Sequence, residues 1–192
     1  MKKIYPELEQ GMDPKSKVAK AGLNKPQWLV IHHTGGTDKN PLADSSNFTF
    51  KQCDDYHKLL WNYKSSLGFY CGYHYYIEKN GKVYQARADS DLGAHTVGYN
   101  DKSIGICLAG NFDSTMPTAA QTKALGTLLM QKLKEHNLRA TAIVPHRKFA
   151  VKTCYGNKLP DTWAQLQVST SIVEEVDKLH AQVHDLLVKA FQ

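Results

Sequence analysis

Short apolar, β-branched runs alternate along this sequence with segments of helical periodicity, and this alternation constrains the fold more than any other feature. The runs that indicate buried strands lie at 28–31, 103–108 and 142–144. Helical patterns lie over about 50–62 and from Pro117 onward. Interleaved strands and helices are typical of α/β proteins, and 192 residues is the size of one domain. We therefore predict a single α/β domain with a central mixed β-sheet flanked by helices.

Local signals predict where the first helix and a hairpin lie. Thr49 followed by Gln52 resembles a capping box, in which each side chain bonds the backbone N–H of the other residue. The sequence therefore predicts a helix directly after this pair. Asn80-Gly81 separates the segments 73–78 and 82–85, and this dipeptide accepts positive φ angles. It predicts a β-hairpin closed by a tight primed turn.

The charge of the chain indicates attraction to a polyanion, because its net charge is +6. Nucleic acid, anionic lipid and the acidic cell wall of bacteria all fit that description. The lysines are spread along the chain rather than gathered in an arm or on one helix face, so we expect no nucleic-acid partner. No apolar run approaches the length that spans a membrane, so we expect no membrane insertion.

The N-terminal segment, 1–25, is polar and contains several lysine, proline and glycine residues, which predicts a loosely ordered lead-in. No apolar stretch follows its first basic residues. We therefore expect no standard secretory signal peptide, and synthesis in the cytoplasm.

The cysteines have neither the density nor the spacing of a disulfide framework. In a reducing compartment each one is either a small core residue or a chemical tool. Cys53, Cys71 and Cys107 are interpreted as small apolar residues of the core.

Two predicted strands end at a histidine, and a cysteine follows the second of them. His32 and His146 occupy the strand ends, and Cys154 lies eight residues after His146. Imidazole nitrogen and thiolate sulfur are ligands that zinc prefers, and three protein ligands leave the fourth position free for water. A histidine at a strand end is also an ordinary polar residue, and 114 residues separate the two histidines. From the residue types alone, a zinc site and two structural histidines both remain open.

Six sequence blocks, spread over about 26–165, carry a resemblance to a known family. The blocks are WLVIHHT (28–34), GYHYYI (72–77), NGKVY (80–84), GAHTVGYN (93–100), SIGI (103–106), and HRKF with KTC (146–149 and 152–154). In this order they resemble the N-acetylmuramoyl-L-alanine amidase type 2 family, which includes phage lysozymes and peptidoglycan recognition proteins. The resemblance implies the type 2 amidase fold. It also implies hydrolysis of the amide bond between N-acetylmuramic acid and L-alanine in bacterial peptidoglycan.

Carried over by position, the resemblance assigns metal ligands and a catalytic pair. The ligands are His32, His146 and Cys154, for one Zn²⁺ per chain. The catalytic pair is Tyr73 and Lys152, as in the branch that resembles phage lysozymes.

Four further histidines receive separate roles. His95 matches a histidine that lines the cleft of the family and is assigned to substrate binding. His33 is not a ligand position in that pattern, and it is assigned to the substrate side of the site as a supporting or structural residue. If this segment is a strand, His74 faces away from Tyr73 and packs under the sheet. His57, in the middle of the first predicted helix, is interpreted as a core histidine.

Three functions within the family compete. Cytoplasmic recycling amidases act on soluble muropeptides, and other members bind peptidoglycan without cutting it. Cys107 stands where the recycling enzymes carry a catalytic glutamate, and Cys154 stands where they tend to use aspartate. Non-catalytic members typically lose the cysteine ligand. The resemblance therefore favours a phage endolysin with peptidoglycan as its partner, which reaches the wall after a separate protein permeabilises the membrane.

The C-terminal segment is predicted to form an amphipathic helix of its own. The predicted division is a lead-in over 1–25, an amidase catalytic domain over 26–165 and the helix over 166–192. Apolar residues of the helix recur at spacings of four and three at Ile172, Val176, Leu179, Val183, Leu186 and Ala190. This seam would suit a homodimer, whereas Val173 and Leu187 widen the stripe as in a helix that lies on a domain. We predict packing on its own domain or on a neighbouring subunit rather than a free-standing coiled coil.

Overall fold

Five strands form one mixed sheet in the computed structural model, which describes residues 23–190. The strands are β1 (Trp28–His33), β2 (Tyr75–Ile77), β3 (Val83–Gln85), β4 (Ser103–Leu108) and β5 (Ile143–Pro145). Their order across the sheet is β3-β2-β4-β1-β5. β1 pairs in parallel with β4 and β5, β2 pairs in parallel with β4, and β3 is an antiparallel edge. The prediction of a central mixed sheet is confirmed.

Helices cover both faces of this sheet. They are α1 (Phe50–Leu60), α2 (Ala119–Glu135) and α3 (Trp163–Ala190), with short 3₁₀ turns at Ala140–Ala142 and His146–Lys148. One face packs against α2 and the start of α3 through a core that includes Ile106, Leu125 and Ala164. The other face packs against α1 through a core that includes Cys53 and Cys107. Neighbouring residues of β4 therefore face opposite layers, as the period of two in a strand requires.

The helices α1 and α2 each begin at a capping box. Thr49 and Gln52 bond each other at the start of α1, which confirms the predicted box. Thr118 and Gln121 do the same at the start of α2. α1 ends at Leu60, two residues earlier than predicted.

The turn of the β2–β3 hairpin differs from the predicted primed turn. Gly81 has φ +83°, but Asn80 does not have a positive φ, whereas a type I′ turn needs positive φ at both central residues. Glu78 N–H donates to the Lys82 carbonyl at 3.0 Å, and Gly81 N–H donates to the Glu78 carbonyl at 2.8 Å. Asn80 accepts the Lys82 N–H at 2.9 Å through its side-chain oxygen, a local bond that stabilises the longer loop. The hairpin is confirmed, and the predicted turn type is wrong.

The described end of the lead-in packs on the domain rather than remaining loose. Asn24 is buried, and its side-chain N–H donates to the carbonyls of Asp89 and Ser103 at 2.9 Å each. Residues 1–22 of the predicted lead-in lie outside the described residues.

The C-terminal helix begins inside the core and continues without a break through the predicted boundary at 165. Ala164 and Val168 are buried in the core, so the first turns of α3 pack on the sheet layer. Farther along, the described seam residues are between 43% and 66% exposed, namely Ile172, Val176, Leu179, Val183 and Leu186. The prediction that this seam packs on its own domain is therefore wrong. Packing on a neighbouring subunit stays a prediction, and the side chains of Leu187 and Ala190 lie outside the described ones. None of the described helices is both long and apolar enough to span a bilayer.

A partly buried ionic network joins α2 to strand β2 and to the segment that follows β3. The Asp89 carboxylate accepts hydrogen bonds from the Tyr75 hydroxyl at 2.7 Å, Lys132 Nζ at 2.9 Å and His136 Nε2 at 2.8 Å. Burial raises the pKa of Asp89, but these three bonds outweigh it and hold the pKa below its usual value. The ionised carboxylate is therefore the form that the fold stabilises.

Asp89→Asn should lower the free energy of unfolding at neutral pH by about 1–3 kcal/mol, because the buried Lys132 ammonium then keeps only the more exposed Glu135 as a charged partner. The folded pKa of Asp89 lies below the unfolded one, so its stabilisation is complete above the unfolded pKa and is lost as pH falls through the folded pKa. Urea denaturation at several pH values measures both effects. Asp55→Asn, which disrupts an exposed pair with Lys51, is the matched control and should change stability by less than about 1 kcal/mol. An equal effect of the two variants would contradict the role of burial.

Candidate metal centre and cleft

The register of the sheet brings the two strand-end histidines together. Ile31 of β1 pairs with Pro145 of β5, so the next residues, His32 and His146, are neighbours at the same edge of the sheet. Their ring centroids lie 4.4 Å apart. Cys154 returns to this edge because its carbonyl accepts the Arg147 N–H at 2.7 Å. Residues far apart in the chain thus meet at the carboxyl ends of parallel strands.

The side chains of His32, His146 and Cys154 form a cluster that fits a metal ion. Their donor atoms all lie within 4.8 Å of one another, and His32 Nδ1 is 3.7 Å from Cys154 Sγ. A tetrahedral zinc site with typical bond lengths separates a ligand nitrogen from a ligand sulfur by about 3.6 Å. The donor atoms and their spacing therefore fit Zn²⁺.

The protonation states of this cluster also suit a cation. Burial lowers the pKa of His146 to about 4. Burial, followed by electrostatic repulsion from His146, lowers the pKa of His32 well below its usual value. Both imidazoles are therefore neutral near pH 7 and have a lone pair to donate. Burial raises the pKa of the Cys154 thiol to about 12, so its thiolate needs a nearby positive charge. A bound divalent cation would supply that charge.

Other predicted site residues surround this cluster in a cleft of about 570 Å³. The Tyr73 ring centroid lies 5.0 Å from that of His32, and burial raises the pKa of the Tyr73 phenol well above its usual value. Lys152 is exposed at the rim, and its charge contributes to the low pKa of His146. The structure brings the predicted ligands and the predicted catalytic pair to one cleft.

His95 lies in the cleft and also contacts a predicted ligand. Its Nδ1 is 3.1 Å from His32 Nε2, the ring nitrogen that faces away from Cys154. Such a bond fixes the tautomer and orientation of a histidine ligand. Gly105 makes room for the ring, since a Cβ at this position would come within 2.5 Å of His95.

His33 does not line the cleft, although the sequence assigned it to the substrate side of the site. It follows His32 on β1 and therefore faces the opposite layer, where its Nδ1 accepts the Phe112 N–H at 3.0 Å. The position indicates a structural role.

His74 is fully buried and accepts the Gly105 N–H at 3.1 Å through Nδ1, as expected for a residue packed within the sheet layers.

Sequence reasoning missed cleft residues that carry no recognisable chemistry. Trp61 and Phe149 line the cleft, and Phe149 stacks on Tyr99 with ring centroids 3.8 Å apart. Arg147 was also missed, and it organises the loop of Cys154 by donating to the carbonyls of Gly156 and Leu159. Both Arg147 and Phe149 lie in the block that starts at His146, which was the available signal.

The sequence also matches a known protein family. The sequence profile described as N-acetylmuramoyl-L-alanine amidase matches residues 22–158, more than half of the chain. The chain belongs to the N-acetylmuramoyl-L-alanine amidase family. The resemblance seen in the six sequence blocks is thereby confirmed, and the matched range contains every predicted site residue.

The proteins to which this chain is similar include both peptidoglycan recognition proteins and endolysins. A peptidoglycan recognition protein from Trichoplusia ni is 34% identical over 132 residues, which cover 68% of this chain and 69% of the relative. The endolysin of Escherichia phage T7 is 32% identical over 105 residues, which cover 52% of this chain and 68% of the endolysin. Among solved structures, the endolysin N-acetylmuramoyl-L-alanine amidase LysCS from Clostridium intestinale URNW superposes with a TM-score of 0.61 at 26% identity. The superposition covers 78% of this chain and 87% of that one. The predicted type 2 amidase fold is confirmed.

Proposed function

We propose that this family member is a zinc-dependent amidase that hydrolyses the bond between N-acetylmuramic acid and L-alanine in bacterial peptidoglycan. The observation that carries the proposal is the cluster of His32, His146 and Cys154 in a cleft with Tyr73 and Lys152. A cleft that only recognised a glycopeptide would not need three donor atoms within 4.8 Å of one another, two of them on buried histidines. The proposed cofactor is one Zn²⁺ per chain.

The proposed chemistry divides between the metal and the side chains around it. When bound, Zn²⁺ supplies a Lewis acid that activates water and polarises the scissile carbonyl. The Tyr73 hydroxyl can donate a hydrogen bond to the carbonyl oxygen as that oxygen gains negative charge. The Lys152 ammonium adds a positive charge on the solvent side of the cleft. His95 holds His32 in orientation and lines the cleft for substrate.

A lytic role at the cell wall is the favoured setting for this activity. Its support is the likeness to the T7 endolysin and to the Clostridium amidase, together with the cysteines at positions 107 and 154. The net charge of +6 would attract the chain to an acidic wall. We propose that the protein acts on the wall after a separate protein permeabilises the membrane.

A second candidate function is binding of peptidoglycan without cleavage, which the likeness to a peptidoglycan recognition protein favours.

Mass spectrometry of digests of intact sacculi tests the proposal directly. The zinc-loaded protein should release free stem peptides with an N-terminal L-alanine and leave glycan strands without peptides. Cys154→Ala, treated in the same way, should release about as little as buffer. Binding to sacculi with no released peptide would establish the recognition role instead. Release only from small soluble muropeptides would establish a recycling amidase.

A further inference from the structure

A second group of sulfur and nitrogen atoms lies in the core between α1 and the segment that leads to Tyr73. Cys53 Sγ is 3.7 Å from Cys71 Sγ, and it is also 3.7 Å from His57 Nδ1. Cys53 and Cys71 are buried, and the proposed amidase chemistry uses none of these three residues. Sequence interpretation treated the two cysteines as independent apolar residues, but the fold brings them into contact.

Metal binding is the first chemistry that such a group suggests, and the surrounding bonds argue against it. His57 Nδ1 already accepts the Gly72 N–H at 3.0 Å. A metal ion at this nitrogen would leave that buried N–H without a partner, which costs about 1–3 kcal/mol. Within the described residues the group has three donors, and its burial leaves no open side for a water ligand. The contact between the two thiols is therefore better explained by disulfide formation than by a metal site.

The backbone around the two cysteines is already held in place. Asp54, the neighbour of Cys53, accepts the N–H groups of Tyr70 and Cys71 at 2.6 Å and 2.7 Å through one carboxylate oxygen. These bonds fix the segment before Tyr73 against α1 whether or not the sulfurs react. A disulfide requires an S–S distance of about 2.05 Å, so the sulfurs must approach by side-chain rotation and a small shift.

We propose that Cys53 and Cys71 are a disulfide site, which closes when the chain folds in the presence of a small-molecule disulfide such as oxidised glutathione. The Cys71 thiolate attacks one sulfur of the oxidant, which forms a mixed disulfide and releases the first glutathione thiolate. Cys53 then attacks the Cys71 sulfur, which forms the Cys53–Cys71 bond and releases the second. The two protons of the cysteines go to the two released thiolates, so the protein is oxidised and the oxidant is reduced.

The electrostatics of the pair assign these two roles. Burial raises the pKa of the Cys71 thiol, but hydrogen bonds with Cys53, with His57 and with the Tyr73 backbone together outweigh burial and lower the pKa of Cys71 below its usual value. The hydrogen bond between the two thiols, together with burial, raises the pKa of Cys53. Cys71 is thus the attacking sulfur and Cys53 the resolving one.

Peptide mass mapping after refolding identifies the bond. Because both thiols are covered, the protein is refolded either with oxidised and reduced glutathione or with excess dithiothreitol. After alkylation and trypsin digestion, the oxidised wild-type protein should yield peptides 52–58 and 65–79 joined, lighter by two hydrogens than the separate pair. Cys53→Ala should not yield this product, and Cys107→Ala, which removes a third thiol of the same core cluster, should retain it.

Thermal melts supply a second readout that does not depend on amidase activity. Closing a loop of this length should raise the Tm of the oxidised wild-type protein by roughly 5–10 °C over the reduced form. The Cys53→Ala variant should show no such difference. Absence of the joined peptides from oxidised wild-type protein, or a bond from either cysteine to Cys107, would overturn the proposal. Zinc that remains bound to Cys154→Ala and is lost in Cys154→Ala/Cys53→Ala would overturn it in favour of a metal site.

Discussion

Replacing Cys154 with alanine is expected to remove zinc from the protein and to lower amidase turnover at least about 10³-fold. The substitution leaves His32 and His146 as the remaining donors of the cluster. Two neutral imidazoles hold zinc far less tightly than a set that includes a thiolate. Without the metal, the activation of water and the charge stabilisation of several kcal/mol are both lost. Zinc content per chain and release of stem peptides from sacculi measure the two effects.

The matched control for this variant is Cys107→Ala. Cys107 is fully buried on the neighbouring strand β4, but it is not among the clustered donor atoms. This variant should keep one zinc per chain and turnover within a few-fold of the wild type. Circular dichroism must show that both variants remain folded, because metal binding and folding are coupled. Chelation should reproduce the Cys154→Ala result and added zinc should reverse it, whereas full turnover of a metal-free preparation would remove zinc from the mechanism.

Much of this site is predictable because its elements are encoded locally. The apolar run before His32 is buried on both faces between β4 and β5, and such strands in parallel sheets lack polar alternation. Thr49 and Gln52 act within one helical turn, so their pattern is sufficient to place the start of α1. The pairing of His32 with His146 and Cys154 needed more than local pattern, because their contact depends on strand order. The family resemblance supplied that order.

Features that depend on contacts across the fold were not predictable. The Asn80-Gly81 turn is decided by which hydrogen bonds close the loop between β2 and β3, and the dipeptide alone permits several turn types. The exposed seam of α3 has an amphipathic spacing, but spacing does not tell whether a domain lies beneath it. The contact of Cys53 with Cys71 joins a helix to a segment 18 residues later. No short-range pattern reports such a contact.

Tyr73→Phe and Lys152→Ala should keep zinc and lower turnover by about 10²-fold or more each, the scale for the loss of one transition-state contact. Phenylalanine preserves the ring that packs beside His32 and removes only the hydroxyl. Lys152 is exposed, so its truncation should leave stability nearly unchanged while removing the charge beside the cluster. Both effects should fall on kcat rather than on KM, because the bonds form as charge develops on the substrate.

Matched variants separate these catalytic losses from general damage. Tyr76→Phe also removes a tyrosine hydroxyl, one that donates to the Phe48 carbonyl at 2.6 Å on the buried side of the same layer. It should lower stability by about 1 kcal/mol and leave kcat within a few-fold of the wild type. Lys148→Ala removes a lysine that lies over Trp28 and outside the cleft, so it should also retain turnover. If Tyr73→Phe behaved like Tyr76→Phe in a zinc-loaded preparation, the Tyr73 hydroxyl would have no part in the chemistry.

The same comparison between Lys152→Ala and Lys148→Ala decides whether the Lys152 ammonium acts on the reaction or only on attraction to the wall. Only a catalytic cation would lower kcat on a small soluble substrate, where attraction to the wall contributes nothing.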